Sequence, residues 1–83
     1  MTEWIDGFAE AMGTVPLTPS ESDRLLQAAR EVAHLTERKA TPLAAFLIGM
    51  AVATSISEGT SRGVAIDDAL RTLLASLPRS PGA

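Results

Sequence analysis

Residues 41–56 form the stretch that decides the fold, and they read TPLAAFLIGMAVATSI. Leucine, alanine and methionine dominate this stretch, and all three are good helix formers. Thr41 and Pro42 predict the helix start, because threonine caps free amides and proline suits the first helical turn, while Gly59 predicts the end. Apolar side chains cover both faces of this helix when successive residues are placed 100° apart. We therefore expect the helix to be buried at the centre of the fold.

Small residues in the same stretch predict that a neighbouring backbone approaches this helix closely. Gly49 costs about 1 kcal/mol relative to alanine in a helix interior, so we expect a packing reason for it. A membrane span is disfavoured, because the uninterrupted apolar run 42–53 is shorter than the roughly 20 residues that a bilayer requires. The sequence therefore favours a core helix, and no association with a membrane is expected.

Three further helices are expected around this one. The first is predicted over 3–12, with Trp4 and Phe8 anchoring it to the core, and it ends at Gly13. The second begins at a capping box, Thr18-Pro19-Ser20-Glu21, and runs to 36 or 37. The last runs from 64 or 65 to 76 and ends before Pro78. The sequence predicts an all-α, compact four-helix bundle with a central, all-round apolar third helix, formed by a single domain, 1–78, and followed by a flexible C-terminal tail, 79–83.

Composition limits the chemistry available to the 83 residues. The chain has ten acidic and seven basic residues, no cysteine and one histidine, His34. A disulfide framework is excluded, and neither a metal site nor a cofactor is predicted. A net charge of −3 without a basic cluster argues against nucleic-acid binding. No secretory signal is visible, so a cytoplasmic location is expected, and the apolar surplus is compatible with a homodimer.

A candidate binding face lies on the second helix and just beyond it. Arg30, His34 and Arg38 are spaced four residues apart, and Glu37 flanks them. One interpretation is a strip that binds an anion or a partner, with a histidine that can change charge near neutral pH. The other is a solvated face with ordinary charge pairs. No nucleophile or orienting partner can be placed near His34, so no catalytic residue is predicted.

Several short motifs carry a resemblance to a known family. They comprise Glu31-Val32-Ala33-His34, then Arg38, Pro42-Leu43 and Phe46-Leu47-Ile48-Gly49-Met50-Ala51, together with an N-terminal tryptophan, Trp4. The chain resembles a small actinobacterial domain of unknown function, which occurs alone or attached to molybdenum-cofactor guanylyltransferases. The resemblance implies an actinobacterial cytoplasmic protein linked to molybdopterin guanine dinucleotide formation. It implies no catalytic residue.

Two classes of function follow from these observations. The preferred class is a non-enzymatic accessory or protein-interaction domain whose partner is a molybdenum-cofactor guanylyltransferase or a molybdoenzyme. The alternative is a helical domain that binds a small anionic ligand or nucleotide through Arg30, His34 and Arg38.

Overall fold

The computed structural model describes residues 2–78, which form four α-helices and no strand. The predicted all-α fold of four helices is confirmed. The predicted tail, 79–83, lies outside the described residues. The helix bounds are α1 (Thr2–Ala11), α2 (Pro19–Leu35), α3 (Ala40–Ser57) and α4 (Arg62–Ser76).

The capping box at the start of α2 and the glycines that end α1 and α3 act as the sequence predicts. Thr18 accepts a hydrogen bond from the Glu21 amide at 3.1 Å, and the Glu21 carboxylate accepts one from the Thr18 amide at 2.9 Å. These two bonds complete the capping box of α2. Gly13 and Gly59 have φ angles of +75° and +99°, which glycine adopts without steric cost, and they end α1 and α3.

The start of α3 differs from the prediction that Thr41 caps it. The N-cap residue is Lys39, and no side chain donates or accepts a capping hydrogen bond there. The amides of Ala40 and Thr41 instead donate to the carbonyls of Glu37 and Arg38, at 3.0 and 3.2 Å. This preceding turn satisfies the first amides, so the threonine hydroxyl is not needed as a cap.

The core lies where α2, α3 and α4 meet. Ala28, Ile66 and Leu70 form its buried cluster, and Ile48 and Val52 of α3 pack against that cluster. Val32 and Ala65 are also buried. The helical periodicity of α2 predicts that Leu26 is buried, but its side chain is exposed. Three helices therefore share one small core, and its buried side chains come from α2 and α4.

The third helix packs against both α2 and α4, but the prediction that it is buried on every side is wrong. None of its residues is buried. One flank, carrying Ile48 and Val52, faces the core, whereas Leu43, Phe46, Leu47 and Met50 are exposed. The pattern correctly identifies a helix that is apolar all round. An 83-residue chain with one small core can bury only part of the apolar surface of this helix.

By length and composition alone, α3 is long and apolar enough to cross a membrane. Its 18 residues rise about 27 Å, somewhat less than the hydrocarbon thickness of about 30 Å. Ile48 and Val52 also pack onto the core that α3 shares with α2 and α4. The apolar character of α3 is therefore weak evidence for a membrane span.

The first helix stands apart from the other three. Within residues 2–78, no Cα atom of α1 lies within 8 Å of a Cα atom in α2, α3 or α4. Trp4 and Phe8 stack on each other, with ring centroids 5.4 Å apart, and both are exposed. The prediction that these two rings anchor α1 in the core is therefore wrong, because their stacking partner is the other ring and not the core.

Candidate functional site: an apolar groove

The space between α1 and the other helices is an open apolar groove of about 830 Å³. Ile5 and Phe8 of α1, together with Met12 just beyond its C-terminus, form one wall. The opposite side is built by α2 and α3, with further lining from the segment between α1 and α2. The residues contributed by α2 and α3 are Leu25, Ala28, Ala29, Val32, Thr41, Ala44, Ala45, Ile48, Gly49, Val52, Ala53 and Ile56. A groove of this volume and composition is of the kind that takes up an apolar ligand or partner.

Small residues on α3 make its side of the groove smooth. Ala45, Gly49 and Ala53 recur at four-residue spacing along it. A Cβ atom added at Gly49 would meet nothing within 4 Å. Gly49 faces the groove, and within residues 2–78 no side chain fills the space beside it, so the expected packing reason is not found inside the described chain.

Arg62, the first residue of α4, also lines the groove. Its guanidinium donates to both carboxylate oxygens of Glu21, from Nε at 3.1 Å and from Nη2 at 3.0 Å. The same group donates to the carbonyl oxygen of Val15 at 2.9 Å and to that of Pro16 at 3.3 Å. Arg62 thus joins the N-termini of α2 and α4 to the segment that leads from α1, and it holds that segment beside the groove.

The carboxylate of Glu21 is stabilised in its charged form. The pKa of Glu21 is lowered, first by the hydrogen bond from the Thr18 amide; partial burial opposes this effect, and the Arg62 guanidinium adds to it. A charged Glu21 accepts from Thr18 and from Arg62 at once. The cap of α2 and the connection to α4 therefore depend on the same ionised group.

The predicted start of the last helix, at 64 or 65, leaves Arg62 outside that helix. The structure begins α4 at Arg62 and gives this residue four hydrogen bonds to earlier parts of the chain. The capping box identifies Glu21 from the sequence. Its arginine partner is 41 residues away, and no local pattern relates the two positions.

The predicted binding face lies outside the groove. Arg30, His34, Glu37 and Arg38 are all exposed, and none of them lines it. Arg30 donates to the side-chain oxygen of Gln27 at 2.9 Å. Among residues 2–78, no group of three His, Asp or Glu side chains is placed to hold a metal ion. The role of these four residues stays a prediction, and titration with phosphate-bearing ligands while observing the His34 ring protons would test it.

The fold and the groove define the class of protein: a small all-α domain with an open apolar groove. A family model described as a domain of unknown function, DUF6457, matches residues 1–82. The chain belongs to this family, which confirms the resemblance to a small domain of unknown function. Comparison with curated proteins and with solved structures finds no match.

Proposed function

We propose that this chain is a protein-interaction domain that binds an apolar helix of a partner protein in the groove between α1 and α3. The observation that carries the proposal is the groove itself, about 830 Å³ of space lined by apolar side chains. Helix-in-groove binding is a common mode of recognition, in which one apolar face of the bound helix supplies the contacts.

The dimensions of the groove suit a helix. A helix about 10 Å in diameter that advances about 5.4 Å per turn fills this volume with roughly two turns. Ala45, Gly49 and Ala53 allow its backbone to approach α3 closely, because no large side chain projects there. Phe8 and Met12 offer larger apolar contacts from the opposite wall.

The polar side chains in the groove support binding and not catalysis. They are Thr14, Thr41 and Arg62. Thr14 donates its hydroxyl hydrogen to the Ala9 carbonyl at 3.2 Å, and Arg62 is engaged by Glu21 and by two carbonyls. Nucleophilic catalysis requires a nucleophile beside a base, and these three side chains supply no such pair.

The proposed partner is a molybdenum-cofactor guanylyltransferase, or a molybdoenzyme that receives the finished cofactor. The resemblance to the domain attached to such transferases supports this choice, and with it an actinobacterial, cytoplasmic setting. The charge of the chain also indicates which charges a bound helix would carry. Residues 1–23 contain five acidic and no basic residues, so a bound helix with basic residues beside α1 is favoured.

Binding between purified proteins, measured by isothermal titration calorimetry, tests this proposal. The wild-type chain is expected to bind the transferase with a 1:1 ratio of chains. Ala45→Glu, which places a carboxylate in the groove, is expected to lower the affinity at least tenfold. The matched control is Ala75→Glu, the same change at an exposed site on α4 that does not line the groove. Binding that is absent in the wild type, or equal in both variants, would contradict the proposal.

A further inference from the structure

The exposed flank of α3 is a second apolar surface, separate from the groove. It is formed by Leu43, Phe46, Leu47 and Met50, whose exposed fractions are 67, 69, 64 and 54%. None of these four residues lines the groove, and none packs against the core cluster. Their spacing of three and four residues places them in one stripe along the helix. We refer to these four residues as the outer α3 face.

The chain as a whole exposes more surface than a compact monomer of its mass. The chain exposes 6163 Å². A compact monomeric protein of 8.7 kDa exposes about 4,700 Å² by the usual scaling of area with mass. The excess is about 1,400 Å², and a stable interface removes about 800 Å² from each partner. This excess belongs to the whole chain, including the open groove and α1, and it is larger than the area that one standard interface removes from one partner.

The charge distribution indicates which partner fits the outer α3 face. In a two-fold symmetric dimer each surface meets its own copy, so any charge there lies close to a like charge. The 18 residues of α3 include no Asp, Glu, Lys or Arg, whereas α1, α2 and α4 all carry charged residues. For a chain of net charge −3, α3 is the helix on which self-association brings no charge repulsion.

We propose that the outer α3 face binds the same face of a second copy of this chain, forming a homodimer with two α3 helices packed across a two-fold axis. This inference goes beyond the proposed function, because it assigns a different surface and a different partner. The exposed flank of α3 is then covered by the second copy, which gives α3 in the dimer much of the burial that its composition requires.

The mass of the purified full-length chain, measured by light scattering during gel filtration, tests the dimer. The wild type is expected at twice 8.7 kDa. Leu47→Lys is expected at the mass of one chain, with an unchanged helical circular dichroism spectrum, since Leu47 makes no core contact. The matched control, Leu26→Lys, changes an exposed leucine of α2 and is expected to remain dimeric. A wild-type mass equal to one chain, or dimeric Leu47→Lys, would overturn the inference.

Disulfide cross-linking locates the dimer interface even if a substitution changes the stability of the fold. The chain has no cysteine, so a single introduced cysteine reports only on itself. Leu47→Cys is expected to form a covalent dimer under mild oxidation, whereas Leu26→Cys is expected to remain monomeric on a denaturing gel. Equal cross-linking of the two variants would contradict a contact at the outer α3 face.

Two more measurements separate this inference from other occupants and from the proposed function. Wild-type protein is incubated with vesicles of phosphatidylcholine and phosphatidylglycerol and then sedimented. Sedimentation that Leu47→Lys abolishes would assign the outer α3 face to a lipid surface and overturn the dimer. Ala45→Glu is expected to remain dimeric while its affinity for the transferase falls at least tenfold. Leu47→Lys is expected to be monomeric and to bind the transferase as tightly as the wild type. The dimer and the binding of the transferase can therefore be contradicted independently.

Discussion

Arg62 and Glu21 join the N-termini of α4 and α2 through a two-pronged ion pair, with both N···O distances between 3.0 and 3.1 Å. Their side chains are 29 and 15% exposed, so water screens this pair less than a pair on the open surface. The same guanidinium holds the carbonyls of Val15 and Pro16. One residue therefore connects two helices of the core to the segment that positions α1.

Replacing Arg62 by alanine is expected to lower the free energy of unfolding by about 2 kcal/mol, because hydrogen bonds to charged groups are lost and the Glu21 carboxylate loses its partner. Urea denaturation at one fixed protein concentration measures the change. The control is Arg71→Ala, whose ion pair with Asp68 has side chains that are 74 and 59% exposed. This pair is expected to contribute less than about 0.5 kcal/mol. Equal losses in the two variants would show that Arg62 has no special role.

The lowered pKa of Glu21 predicts a pH dependence of stability with a definite sign. Folding favours the ionised carboxylate, so its contribution is present above the ordinary glutamate pKa of about 4.3. That contribution is lost as the pH falls through the lower pKa of the folded state. Urea midpoints measured between neutral and acidic pH are expected to fall less steeply for Glu21→Gln than for the wild type. Parallel curves for the two proteins would contradict this origin of the pKa shift.

Replacing Thr41 by valine is expected to make the protein more stable. Within residues 2–78 its hydroxyl oxygen is buried and has no hydrogen-bond partner. Thr41→Val removes this group at nearly constant shape and is expected to raise the free energy of unfolding by about 1 kcal/mol. In the control, Thr54→Val, the hydroxyl that is removed donates to the Met50 carbonyl at 3.0 Å in an exposed setting. Thermal denaturation is expected to show a higher midpoint for Thr41→Val alone, and a lower midpoint would indicate that the hydroxyl is satisfied.

The parts of the fold that sequence predicts are those whose causes lie within a few residues. The capping box needs only Thr18 and Glu21, three positions apart, and the helix ends at Gly13 and Gly59 need only a positive φ angle. These features depend on local geometry, and the structure confirms them.

The parts that sequence misses depend on distant positions. The partner of Glu21 is 41 residues away, so no local spacing identifies Arg62. The composition of α3 shows that it is apolar on all sides. It does not show which side packs against the other helices of the chain. Ile48 faces the core and Phe46 does not, although both are large and apolar. The groove arises because α1 does not close on α3, a relation that no periodicity within one helix contains.

Gly49 and Gly7 provide a matched pair that tests whether the groove accepts another helix. Each lies inside a helix, and a Cβ atom added at either position would meet nothing within 4 Å. Alanine is expected to stabilise the isolated domain by about 0.5 to 1 kcal/mol at either site, because glycine loses more backbone freedom on folding. Chemical denaturation of the two variants measures this gain, and a loss at Gly49 would contradict the open space beside it.

The two variants are expected to differ only when a partner is bound. Gly49 lines the groove and Gly7 does not, so an added methyl group at Gly49 occupies space that the backbone of a bound helix requires. Calorimetric titration with the transferase is expected to show an affinity reduced about tenfold for Gly49→Ala and unchanged for Gly7→Ala, since overpacking costs about 1 to 3 kcal/mol. A Gly49→Ala variant that is more stable and binds as tightly as the wild type would show that no backbone packs closely at this position. The groove would then hold its partner by side-chain contacts with α1.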